Sequence, residues 1–187
     1  MIKKSLILGS VATLVVTAFA AGKLSSGLQT GERVTPFHPQ HISGPLANTE
    51  NCFPCTFQNR PQVQAWINGD SHTNIMAIAK TLNSAMGKYK GSEFKALVVF
   101  LTDAQSKPGI EAQLKAASKM PGMGEVGMAV LDKSSESVAD YKINTSSDVK
   151  NTVFVYKNWQ VQQKFVNIKA DANGISELNH AIASIAK

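Results

Sequence analysis

The stretch Thr152-Val153-Phe154-Val155-Tyr156-Lys157-Asn158 decides how the rest of the chain is read. Its first five side chains are all β-branched or aromatic, the shapes that fit a pleated surface, and the run is too short for a buried helix. Nothing charged interrupts it before Lys157, so both faces of this strand are expected to be covered. Lys157-Asn158 marks a tight turn, and residues 161–168 return as a weakly alternating edge strand. Beyond it Ile175, Leu178, Ile182 and Ile185 repeat at helical spacing and close the chain with an amphipathic helix.

Upstream, strands and helices alternate. Val63-Gln64-Ala65-Trp66-Ile67 is a short strand ended by the turn residues Asn68-Gly69-Asp70. Ile75, Ile78, Ala79, Leu82 and Met86 share one helical face, with Gly87 as the stop. Residues 94–101 form an apolar run broken only by Lys95, a strand buried on both faces. Ile110, Leu114 and Ala117 make a short helical stripe, residues 126–131 a further buried strand, and residues 138–143 a helical turn at most. The order is β-α-β-α-β followed by β-β-α. Strands joined through helices pair in parallel, and the tight turn at Asn158 demands an antiparallel hairpin. An α/β fold with a mixed sheet sandwiched by helices follows.

The remaining residues divide in two. Lys3 and Lys4 precede an uncharged, largely apolar run over residues 6–18, and Ala18-Phe19-Ala20 places small residues where a signal peptidase reads. Residues 1–20 are therefore expected to be a cleaved signal peptide, since the run is shorter than the roughly 20 apolar residues of a spanning helix. Export implies a periplasmic or secreted protein with no membrane span after cleavage. Residues 21–61 form a proline-rich extended arm. Five of the seven prolines fall between Pro36 and Pro61, and proline removes a helical donor. A short strand near residues 34–37 is expected in the arm, with loops elsewhere. Residues 62–187 form the regular domain. The formal charge of +6 falls by two when the leader leaves. The remaining lysines are scattered and no basic run interleaves with aromatics, so no nucleic-acid partner is expected.

Residues 152–158 also carry a resemblance. Ala139-Asp140-Tyr141-Lys142-Ile143 followed by that strand and turn resembles the helix end, apolar strand and hairpin of thioredoxin-like proteins. The arm with His41-Ile42-Ser43-Gly44-Pro45 and Cys52-Phe53-Pro54-Cys55 resembles a group of exported bacterial thioredoxin-like proteins. The resemblance implies a thioredoxin-like fold and thiol-disulfide exchange with a protein partner, without a cofactor. It also implies Cys52 as nucleophile and Cys55 as resolving thiol. Two departures stand out. The family's redox cysteines follow the first central strand at a helix start, where the helix end favours a thiolate. Here the two equivalent stretches, Asn68-Gly69-Asp70-Ser71-His72-Thr73 and Thr102-Asp103-Ala104-Gln105-Ser106, lack cysteine. Asn151 stands before Thr152 in place of the family's cis-proline, and a cis bond there would cost about 3 kcal/mol.

Read for itself, the Cys52/Cys55 spacing lets two sulfurs meet within one turn. It suits dithiol exchange, a structural disulfide or a metal site. A four-residue loop stabilises by only about 2 kcal/mol on chain entropy, a weak staple for a domain. His38 and His41 upstream would complete a two-imidazole, two-thiolate set for zinc or copper. Met120, Met123 and Met128 are thioether candidates for Cu(I). A non-enzymatic binding module with a structural disulfide or a Cys/His metal site is thus the alternative to an oxidoreductase. Asp70, Ser71 or Thr73 is expected to cap the following helix. Gly122, Gly124 and Gly127 carry the letters of a dinucleotide fingerprint but lead into a strand, which excludes that function.

Overall fold

The computed structural model describes residues 24–187; the signal peptide expected over residues 1–20 lies outside them. The order is β1 (Gln40–Ser43), α1 (Phe53–Phe57), β2 (Gln62–Ile67), α2 (His72–Lys88), β3 (Lys95–Thr102), α3 (Lys107–Ala117), β4 (Gly127–Asp132), α4 (Glu136–Asp140), β5 (Asn151–Lys157), β6 (Gln160–Val166) and α5 (Ala172–Ala186). Six strands form one sheet in the order β1-β4-β3-β2-β5-β6. β2, β3 and β4 run parallel, joined through α2 and α3. β5 is antiparallel to β2, and β6 to β5. The mixed sheet is the one expected from the strand and helix order.

The hairpin follows from its turn. Lys157 pairs with Gln160, leaving Asn158 and Trp159 as a two-residue loop with φ of 53° and 67°. Positive φ at both positions matches the right-handed twist of the flanking strands. β5 is buried from Asn151 to Tyr156 because β2 and β6 flank it and both sheet faces are covered.

Alternation along the strands sends successive side chains to opposite faces. On one face Val63, Ala65, Ile67, Ala96, Val98, Val153 and Val155 meet α2, α3 and α5 through Ile78, Leu82, Leu114, Leu178 and Ile182. On the other, Trp66, Leu97, Val99, Ala129, Phe154 and Tyr156 meet Val138 and Tyr141 of the α4 region and Leu28, Val34, Phe37, Phe53 and Phe57 of the arm. The arm therefore does the work of a helical layer. It contains more regular structure than its prolines suggested: β1 lies at Gln40–Ser43 rather than near residues 34–37, and α1 was not foreseen. Two glycines allow the arm this close. Gly44 has φ +79°, and a Cβ there would lie 2.5 Å from the Gly127 Cα; a Cβ on Gly27 would lie 2.6 Å from the Phe154 ring.

Candidate functional site

Cys52 and Cys55 form a disulfide with their Cα atoms 5.2 Å apart. Cys52 is the N-cap of α1 and has extended backbone. Its Sγ accepts the Cys55 N–H at 3.1 Å, and its carbonyl accepts the Thr56 N–H and hydroxyl at 3.0 and 2.9 Å. Pro54 sits in the first turn of α1, where its missing donor costs nothing. The two residues between the sulfurs anchor the motif: Phe53 is fully buried and Pro54 is buried. Phe53 lies edge to face with Phe57 at 4.8 Å and stacks against His41 at 6.3 Å between ring centroids.

The two histidines converge on the chain leading into the motif. His38 Nδ1 is 2.9 Å from the Glu50 carbonyl, and His41 Nε2 is 2.9 Å from the Asn51 carbonyl. Each ring nitrogen in contact with a carbonyl is a donor. These contacts fix the two residues before Cys52. Burial holds the His41 imidazole below its usual pKa, against the raising effect of the Asn51 carbonyl. Among the described residues no group of three or more His, Cys, Asp or Glu side chains is gathered closely enough to hold a metal ion. The set His38, His41, Cys52 and Cys55, a metal candidate by residue type, is thus spread over two hydrogen bonds and one disulfide. The methionine set is also divided: Met123 and Met128 lie in the core at 1% and 2% exposure, while Met120 is 45% exposed.

The far end of α1 joins the central strand. Gln62 Nε2 donates to the Gln58 carbonyl at 2.9 Å, Tyr156 Oη donates to Gln62 Oε1 at 2.8 Å, and Gln64 Nε2 donates to Tyr156 Oη at 2.7 Å. Trp66 Nε1 donates to Gln64 Oε1 at 3.2 Å. All four side chains are buried and all are partnered, as buried polar groups must be. Burial pushes the Tyr156 hydroxyl well above the usual phenol range, keeping it a donor.

The first of the two cysteine-free stretches lies elsewhere. Asp70 to Thr73 joins the C-terminal end of β2 to α2, whose apolar side packs on the opposite sheet face from α1. Ser71 caps α2 by accepting the Asn74 N–H at 3.3 Å. Asp70 Oδ2 accepts from Asn74 Nδ2 and from Asn151 Nδ2, both at 2.6 Å, and Oδ1 accepts the Ser71 N–H at 2.7 Å. Asn151 exchanges two more bonds with the Ile168 backbone, at 3.0 and 3.1 Å. The two departures noted in the sequence are therefore one contact: the residue in the cis-proline position clasps a residue of the cysteine-free loop. The Asn151–Thr152 peptide is trans. Sequence reading missed Asn74, which also accepts the Ala170 N–H at 2.6 Å; its only signal was the four-residue spacing from Asp70. In the second stretch, Asp103 Oδ1 accepts the Ser106 N–H and hydroxyl, both at 2.8 Å. These bonds hold its carboxyl below the usual range and close the turn on itself.

No protein-family model matches the chain, and no curated protein matches it in sequence. Solved structures do match in shape. A Chlorobium tepidum protein assigned as the thiol:disulfide interchange protein DsbE has a TM-score of 0.61 at 14% identity, covering 86% of this chain and 99% of its own. A Plasmodium vivax 2-Cys peroxiredoxin in its reduced form has a TM-score of 0.60 at 15% identity, covering 83% and 95%. A DsbF homologue from Corynebacterium diphtheriae has a TM-score of 0.57 at 14% identity, covering 89% and 96%. The chain has the thioredoxin-like fold.

Proposed function

We propose that this is an extracytoplasmic thiol-disulfide exchange protein that works through the Cys52–Cys55 pair, displaced from the fold's usual redox loop. The observation that carries the proposal is the disulfide itself: one of its sulfurs belongs to a residue that is only partly buried. Its short loop contributes only about 2 kcal/mol, so stability alone gives it little reason to exist. The basic start, uncharged apolar run and small-residue cleavage site of residues 1–20 support a periplasmic or secreted location, where disulfides persist. Among the described residues no helix is long and apolar enough to cross a membrane. The partner is a protein thiol or disulfide, in keeping with the thiol:disulfide interchange named for the DsbE neighbour.

A second reading is favoured by the anchoring of the motif. Phe53 and Phe57 are buried and both histidines brace the approach to Cys52. That arrangement also suits a structural bridge in a non-enzymatic binding module. Redox titration against glutathione separates the two. Exchange requires a potential within roughly −120 to −270 mV, the span of thioredoxin-fold oxidoreductases, and a value below about −300 mV establishes the structural bridge.

A further inference from the structure

The two halves of the disulfide are not equivalent. Cys52 is 6% exposed, and the neighbouring Phe53 is fully buried. Cys55 is only partly buried, and Thr56 beside it is exposed. Disulfide exchange proceeds by attack of a thiolate on one sulfur while the other departs. The attacking thiolate must approach opposite the departing sulfur, and the nearly buried Cys52 offers it less room than the partly exposed Cys55.

A second observation points the same way. The sulfur that departs takes on negative charge, and Cys52 Sγ already accepts the Cys55 N–H at 3.1 Å. A hydrogen bond of this kind strengthens when its acceptor becomes an anion. Access therefore selects Cys55 for attack, and the amide selects Cys52 for departure.

Resting on the exchange activity proposed above, we infer that Cys55 is the catalytic sulfur that meets the partner and Cys52 is the resolving thiol. This is the reverse of the order that the family resemblance implies. In the oxidising direction a partner thiolate attacks Cys55 Sγ. A bond forms between the partner and Cys55, the Cys52–Cys55 bond breaks, and its electron pair leaves on Cys52. A second thiolate of the same partner then attacks the partner sulfur of the mixed disulfide and releases the Cys55 thiolate. The partner leaves as a disulfide. The protein leaves as a dithiol after taking up the two protons that the partner thiols released to water. Two electrons have passed from partner to protein. In the reducing direction Cys55 attacks the partner's disulfide and Cys52 resolves the mixed species. The substrate class is a protein dithiol or disulfide with an exposed sulfur.

The test traps the first intermediate in the unaltered protein. Oxidised protein is mixed briefly with reduced glutathione, quenched in acid and alkylated, and fragment mass spectrometry locates the glutathione. The adduct is expected on Cys55 in at least about tenfold excess over Cys52. Equal labelling, or an excess on Cys52, overturns the inference while leaving the exchange activity standing. No adduct and no reduction removes the exchange activity, and this inference with it. Single variants give an independent measure. The free thiol of Cys52→Ser is expected to react with a maleimide at least about tenfold faster than that of Cys55→Ser. Comparable rates in the two variants, each checked for native circular dichroism, count against the inference.

Discussion

At the residue scale, Asp70 is the hub of one of the two cysteine-free stretches. Its carboxylate holds Asn74, Asn151 and the Ser71 amide together. Asn151 is 1% exposed, so removing its acceptor strands a buried donor, at about 1–3 kcal/mol. Asp70→Ala is expected to lower the urea-unfolding free energy by that amount. Asp70 and Asn151 were each visible in the sequence as departures from the family pattern. Their contact was not, because it joins residues 81 apart and no local pattern encodes such a meeting. His41 gives the second residue-scale expectation. Burial lowers its pKa in the folded protein, while the unfolded chain has the ordinary value of about 6.5. Between the depressed value and about 6.5 the unfolded state binds more protons, so stability rises with pH. The contribution is fully present above about pH 6.5 and is lost as pH falls through the folded value. The urea midpoint is expected to drop on going from about pH 7.5 to about pH 5.5, and His41→Gln is expected to flatten the His41 part of that slope.

At the element scale, α1 is five residues long, too short to be helical alone. It persists because Phe53 and Phe57 insert into the core face shared with Trp66 and Leu97. Phe53→Ala is expected to cost about 3–5 kcal/mol and to open residues 51–59 to limited proteolysis. Reducing the disulfide is expected to cost only about 2 kcal/mol. The ratio of these two losses, both read from urea melts, measures whether side-chain packing or the covalent link holds the helix. The long elements were legible because each repeats its period several times, as α2 and α5 do at Ile78, Leu82, Leu178 and Ile182. β1 and α1 were not. Three of the four residues of Gln40–Ser43 are polar, so no alternation marks the strand, and its pairing with β4 is a tertiary event that no local pattern encodes. In α1 a proline in the first turn masks a helix too brief to show a period.

At the scale of the whole molecule, the arm and the regular domain share one core. Leu28, Val34, Phe37, Phe53 and Phe57 cover Val99, Phe154 and Tyr156, and Ser26 Oγ meets Thr152 Oγ1 at 2.7 Å on the strand that decided the fold. A chain begun at residue 62 would bare that face of the sheet. It is expected to bind a hydrophobic dye and to lose its cooperative melt, whereas a chain begun at residue 24 is expected to bind no dye and to melt cooperatively. The candidate site was legible in part: the paired cysteines and the empty loop stood in the sequence, but the unequal burial of the two cysteines depends on which way α1 faces, and only packing decides that. The Asp70 clasp and the Cys52–Cys55 bond sit on different elements, the loop before α2 and the start of α1, whose apolar residues pack on opposite faces of the sheet. A reductase shaped for the groove beside Asn151 finds a carboxylate there and nothing to reduce. Under the exchange role proposed above, a partner that reduces this pair has to meet the arm at α1, and a reductase that recognises only the groove of ordinary thioredoxins is expected to leave the Cys52–Cys55 bond intact.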